Sequence, residues 1–237
     1  MMKYTLTAAA LGIAIAYGAP ASAVNQATVY QNGDYNQAVI EQDHNYNTTA
    51  YVGSTGDYND GTITQSRNWN TTARIDASGS RNDAVIEQNR VANASATIYQ
   101  AGYGGDATIR QRPDGGHHWG HHMGINLTAT INQTAGWGNS AAVDQMGDML
   151  SAAITQAGVK NLAVIDQKGD DHIMNVANIN QRGWFNDGYI RQDGRGLTAT
   201  INQVGAKNDA VVLQSGSGHM ATVTQVGYRN DAYIKQH

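Results

Sequence analysis

Strict alternation runs through most of this chain. Within residues 36–42, Asn36, Ala38, Ile40 and Gln42 share one parity, while Gln37, Val39 and Glu41 take the other. The same order of Asn, Ala, branched aliphatic and Gln returns at residues 208–214 and again at 230–236. A period of two places such residues on one face of an extended strand. With tolerance at each place, the pattern A-x-[IV]-x-Q starts at Ala27, Ala38, Ala50, Gly61, Ala73, Ala84, Ala96 and Ala107. It resumes at Ala129, Ala141, Ala152, Ala163, Ala177, Gly188, Ala199, Ala210, Ala221 and Ala232, which makes eighteen copies.

Neighbouring copies mostly lie 11 or 12 residues apart, and alternate copies differ in where their Asn stands. The repeating unit is therefore a pair of strands, present nine times, and such short periods mark solenoids. Turn formers separate the strands, as in Asn32-Gly33-Asp34 and Val226-Gly227-Tyr228-Arg229, where glycine accepts positive φ. The predicted fold is all-β: a β-solenoid of nine strand–turn–strand coils, cross-β when polymerised. Its inner ladder is exemplified by Ala199, Ile201, Gln203, Gly205, Asn208, Ala210, Val212 and Gln214. Stacked Asn and Gln amides donate and accept along the stacking axis, so buried polar groups find partners without a large apolar core.

Composition supports that reading. The 27 glycines and a mean hydropathy of -0.46 leave too little aliphatic matter for an ordinary core, while the regular spacing argues against disorder. A formal charge of -4 with no basic run excludes nucleic acid as a partner, because the long-range attraction is missing. Residues 1–23 read as a secretory signal: Lys3, an apolar run over Ala8 to Ala16, and Ala21-Ser22-Ala23 as the cleavage site,. The repeat region then spans residues 24–237 and leaves the cytoplasm. It holds no cysteine, so disulfides contribute nothing to its stability. Both ends of the stack are expected to be bare, since recognisable copies begin next to the cleavage site and finish at Gln236. Open strand edges recruit further chains.

The segment AxxxQxGxxNxAxxxQ, intact from Ala199 to Gln214 and again from Ala221 to Gln236, resembles the curlin repeat, and the resemblance covers nearly all of the mature chain. It implies a secreted amyloid subunit of the curli type, exported through an outer-membrane pore with a periplasmic chaperone. It would be a homopolymer, with a nucleator or sister curlin subunit as partner, supporting a biofilm matrix and adhesion. It further implies that the terminal Gln and Asn residues govern polymerisation: Gln31, Asn36 and Gln42 at one end, Gln225, Asn230 and Gln236 at the other. The chain departs from the best-known curlins in lacking a Gly/Asn-rich segment before the first repeat and in having more repeats.

An insertion at residues 113–124, PDGGHHWGHHMG, interrupts the series and reads as a loop between coils. Its His117, His118, His121 and His122 form a candidate transition-metal site, since imidazoles suit Zn, Cu or Ni. The plainer reading is a loop that a solenoid tolerates. No cofactor is implied. Catalysis finds no support, because Glu41, Glu87, Asp144 and Asp166 are scattered on outward positions. Calcium-binding solenoids repeat at a different period. An ice-binding solenoid needs a continuous outward threonine array, which Thr62-Ile63-Thr64 and Thr222-Val223-Thr224 supply only locally.

Overall fold

The computed structural model describes residues 11–17, 24–114, 123–169 and 173–237. In chain order the first strands are β1 (Leu11–Tyr17), β2 (Gln26–Asn32), β3 (Gln37–Asp43), β4 (Thr49–Asp57), β5 (Asp60–Ser66), β6 (Thr72–Ser80) and β7 (Asp83–Asn89). Then come β8 (Val91–Ala92), β9 (Ser95–Tyr103), β10 (Asp106–Arg112), β11 (Gly124–Ile125), β12 (Leu127–Trp137), β13 (Ser140–Gly147) and β14 (Leu150–Val159). The last are β15 (Leu162–Gly169), β16 (Asn175–Trp184), β17 (Asp187–Arg195), β18 (Thr198–Ala206), β19 (Asp209–Ser217), β20 (Met220–Tyr228) and β21 (Asp231–Gln236).

Two parallel sheets face each other. One has the order β1-β3-β5-β7-β10-β13-β15-β17-β19-β21, the other β2-β4-β6-β9-β12-β14-β16-β18-β20. The chain crosses from one sheet to the other with each successive long strand, so β2 with β3 forms the first coil and β20 with β21 the ninth. The fold is the expected all-β solenoid of about nine coils. At about 4.8 Å per coil the stack stands roughly 40–45 Å tall.

The interior is one aliphatic layer thick. Ile40, Ile63, Ile86, Ile109, Val143, Ile165, Ile190 and Val212 line one sheet, facing Val52, Ile75, Ile98, Ile131, Ile154, Ile179, Ile201 and Val223 from the other, all buried. Each such side chain contributes about 1.5–3 kcal/mol by burial. The alanines beside them let the sheets approach, and outward residues alternate with them throughout.

Four features go beyond the sequence reading or correct it. The early coils have a short third side: β8 pairs with β11, and isolated bridges join Tyr46 to Trp69 and Trp69 to Ala92. Buried Asn45 and Asn68 hold this side, with the Asn68 N–H donating to Asn45 Oδ1 at 2.8 Å and the Val91 N–H to Asn68 Oδ1 at 3.0 Å. Second, the insertion is shorter than expected at its far end, because Gly124 is a buried residue of β11. Third, Gly205 is not an inner rung. It lies near the C-terminal end of β18 at φ +121°, where a Cβ would sit 2.0 Å from the Gly227 carbonyl oxygen. Fourth, one expected bare edge is covered in the full chain. Leu11–Tyr17, inside the segment read as a signal, lies parallel along β3, with Leu11 opposite Gln37 and Ala16 opposite Gln42. An unpaired edge takes up an available extended segment because its backbone groups need partners. Among the described residues, β2 at that end and β20 and β21 at the other have no outer neighbour.

Candidate functional site

The chemistry of this molecule lies in its ladders and in the faces where they stop. In the sheet that contains β3, each inward Gln donates from Nε2 to Oε1 of the Gln one coil further along. The series runs from Gln42 to Gln65 at 2.8 Å, crosses the insertion from Gln111 to Gln145 at 2.9 Å, and ends from Gln214 to Gln236 at 2.8 Å. The second amide hydrogen crosses the interior, as where Gln192 Nε2 donates to the Val176 carbonyl at 3.0 Å. The opposite sheet repeats the arrangement from Gln100 to Gln133 at 3.0 Å and on to Gln203 and Gln225 at 2.9 Å.

Asparagines lock the arcs. Asn208 Oδ1 accepts the Asn230 N–H at 3.1 Å, and its Nδ2 donates to the Gly227 carbonyl at 3.2 Å. Asn36 does the same toward the coil after it, accepting the Asn59 N–H at 2.9 Å and reaching the Gly56 carbonyl. Each Asn thus holds the next coil by its backbone. A glycine in the arc leaves its carbonyl open to this grip.

The ladder residues singled out in the sequence occupy these places. Ala199, Ile201, Gln203, Asn208, Ala210, Val212 and Gln214 are buried on inner faces. Gln31, Asn36 and Gln42 belong to the first coil, and Gln225, Asn230 and Gln236 to the last. On the first coil, Gln31 Nε2 and Gln42 Oε1 are buried without partners. On the last, Asn230, Ala232, Ile234 and Gln236 are only half covered. His117, His118, His121 and His122 fall outside the described residues, and among those described no group of three or more His, Asp or Glu side chains could hold a metal ion.

Sequence reading missed the breaks. The row Gln31, Ser54, Ala77, Gln100 loses its amides at two successive coils, leaving Ser54 Oγ and Gln100 Oε1 buried and unpartnered. Gly105 likewise stands where an Asn is expected, and its N–H still donates to Asn82 Oδ1 at 3.0 Å. Aligning the copies residue by residue exposes both breaks; a tolerant motif passes over them.

Outward rows carry the charge. Residues in register along the sheet of β3 read Glu41, Thr64, Glu87, Arg110, Asp144, Asp166, Arg191, Leu213 and Lys235. Arg110 Nε lies 2.9 Å from Glu87 Oε2, and Arg112 reaches Asp144 from the adjacent row at 2.6 Å. On the arcs, cations sit over rings of neighbouring coils: Arg81 over Tyr58 and Tyr103, Lys160 over Trp137 and Phe185, Lys207 over Tyr228.

A parallel solenoid whose interior rungs are amides, with strand edges exposed on its end faces, belongs to the repeat proteins that stack one structural unit on the next. More narrowly, residues 147–177, 175–205 and 196–227 match the family described as Curlin associated repeat. Residues 147–227 thus carry curlin-type repeats, and these repeats together with the solenoid fold point to a structural, non-enzymatic role. No curated protein matches it.

Proposed function

We propose that the protein is the structural subunit of an extracellular curli-type fibre, growing end to end by templated strand addition. The observation that carries this reading is the pair of end faces, where open strand edges coincide with the ends of the amide ladders. A formed coil orders an incoming chain because each added rung repeats the same backbone and amide bonds. Partners are further copies, a nucleator or sister curlin, and an export pore with its chaperone, reached once residues 1–23 are removed. The fibre supports a biofilm matrix and cell adhesion.

Purified from denaturant and held at neutral pH, the chain is expected to form seedable filaments that bind amyloid dyes. A soluble monomer would favour the second reading, a secreted solenoid that binds a surface or ice. Changing Gln225 and Asn230 together to Ala is expected to lengthen the lag of seeded growth more than changing Gln145 and Asn139. Equal lags would count against templating at the end.

A further inference from the structure

The two end faces are complementary, and their complementarity sets how one copy meets the next. This inference rests on the fibre reading above and adds the register, the polarity and the segment that must leave. Continuing the coil-to-coil register by one step lays β20 of one copy on β2 of the next, and β21 on β3. Ala221, Val223 and Gln225 then fall on Ala27, Val29 and Gln31. Ala232, Ile234 and Gln236 fall on Ala38, Ile40 and Gln42, so the aliphatic and amide columns run on without a break.

Three observations favour this joint over any other pairing of faces. Every bonded Gln rung donates toward the later coils, so in the sheet of β3 the first coil ends on an acceptor and the last on a donor. Gln42 Oε1 is buried without a donor, whereas Gln236 Nε2 spends one hydrogen on the Met220 carbonyl and has no rung beyond it. Second, the charged row that starts at Glu41 ends at Lys235. The joint sets Lys235 against Glu41 as Arg110 is set against Glu87 inside the chain. Third, the arc row that starts with Tyr35 ends with Arg229, and the same two residue types already meet on adjoining coils, in the opposite order, where Arg81 sits over Tyr58. Asp34 lies one residue before Tyr35 and adds its charge opposite Tyr228 and beside Arg229. Face to like face, the pairing would instead gather Asp34 and Glu41, or Arg229 and Lys235, which like-charge repulsion disfavours. A joint between unlike faces does not close on itself and builds a filament.

The segment Leu11–Tyr17 holds half of the acceptor face in the full chain. It meets the backbone of β3 in a register that sets Ile15 opposite Glu41 and Ala16 opposite Gln42. We infer that Leu11–Tyr17 is a placeholder on the β3 edge for as long as residues 1–23 stay attached, and that β21 of a second copy takes the same edge once it is free, docking in parallel with Lys235 on Glu41 and Gln236 on Gln42.

The absence of cysteine allows a direct test in the full chain. Thr28 and Thr222 are exposed and become neighbours on adjacent strands only in this joint; strands about 4.8 Å apart bring their Cα atoms within disulfide range. Thr28→Cys mixed with Thr222→Cys is expected to give an oxidised heterodimer, with neither variant alone giving a homodimer. Filaments from the wild type without that cross-link overturn the joint and leave the fibre reading standing. The cross-link without filaments supports the joint and removes the fibre reading. As a second measurement, Glu41→Lys and Lys235→Glu are each expected to lengthen the assembly lag several-fold, and the doubly reversed chain to return within about two-fold of wild type, as a paired interaction requires. A double variant as slow as the singles overturns the assigned pairing.

Discussion

The coils up to Arg112 and those from Leu127 onward share a fold but hold together differently. In the later coils the Gln row of β12, β14, β16, β18 and β20 is unbroken from Gln133 to Gln225. In the earlier coils the same row fails at Ser54 and Ala77, and four of the five unpartnered buried polar atoms among the described residues belong there. The curlin-repeat match falls on the later coils. The earlier coils compensate on their arcs. Thr48 and Thr71 hydroxyls accept from Gln42 and Gln65 at 3.1 and 3.2 Å, and the third side adds the Asn45 and Asn68 bonds. Tyr35 stacks on Tyr58 at 4.8 Å between centroids, and Tyr46 on Trp69 at 4.3 Å. A gap in the interior is tolerable where the outside of the same coil supplies extra contacts.

The sharpest way to break this comparison is to cut an intact row. Gln203→Ala removes a donor to the Asp187 and Asn208 carbonyls and to Gln225, and an acceptor for Gln181. Each stranded group costs about 1–3 kcal/mol, so a loss of about 3 kcal/mol in denaturant unfolding is expected. Ser54→Ala removes a hydroxyl that bonds nothing and is expected to change the unfolding midpoint little or raise it. Equal losses at the two sites would show that ladder continuity is not what separates the regions.

Repair is the next largest effect. Ser54→Gln with Ala77→Gln supplies the missing rungs between Gln31 and Gln100, and a gain of about 1–2 kcal/mol is expected by calorimetry or denaturant unfolding. A lower melting temperature would mean that the early coils are shaped around the gap. A smaller effect concerns the covered edge. Ile13→Pro takes a backbone donor out of Leu11–Tyr17 and is expected to shorten the assembly lag of the full chain two- to three-fold, with unfolding of the later coils unchanged. An unaltered lag would show that this segment does not restrain growth.

The smallest effect is with pH. Asp60, Asp83 and Asp106 stack in register in the early coils, as Asp187 and Asp209 do in the later ones. Burial, and then the neighbouring carboxylate, raise Asp60, Asp106 and Asp187 above the ordinary aspartate range. A group raised on folding stabilises the fold below its unfolded pKa, and that contribution is lost as pH rises through the folded value. Stability is therefore expected to increase as pH falls from 7 toward about 4. Asp83→Asn, which removes the charge facing both Asp60 and Asp106, is expected to flatten the early coils' share of that slope. A stability that falls over this range would contradict the assignment.

Much of this architecture is legible in the alternation alone. Period two with Asn, Ala, Ile and Gln on one parity gives strands, inner faces and coil number, because only in-register stacking satisfies buried amides at every level. What stayed hidden has physical causes. Gly205 shares the parity of Gln203 but not its face, since its positive φ turns the end of β18 out of the regular alternation. Ser54 and Ala77 satisfy the alternation while lacking the amide, and alternation carries no information on hydrogen bonding. The pairing of Leu11–Tyr17 with β3 follows from an open backbone edge, which is indifferent to side-chain pattern. The complementary ends become visible only when outward residues are read down the stack, from Glu41 to Lys235, because register joins positions that sequence separates.

The one-way sense of the glutamine rungs has an electrical consequence. Amide dipoles that alternate cancel, but these point along one axis in both sheets, and aligned peptide dipoles add in a helix. The bonded rungs therefore turn a positive end toward Gln225 and Gln236 and a negative end toward Gln42 and Gln100. A filament of such units would repeat that sense along its whole length, so its two tips would differ chemically.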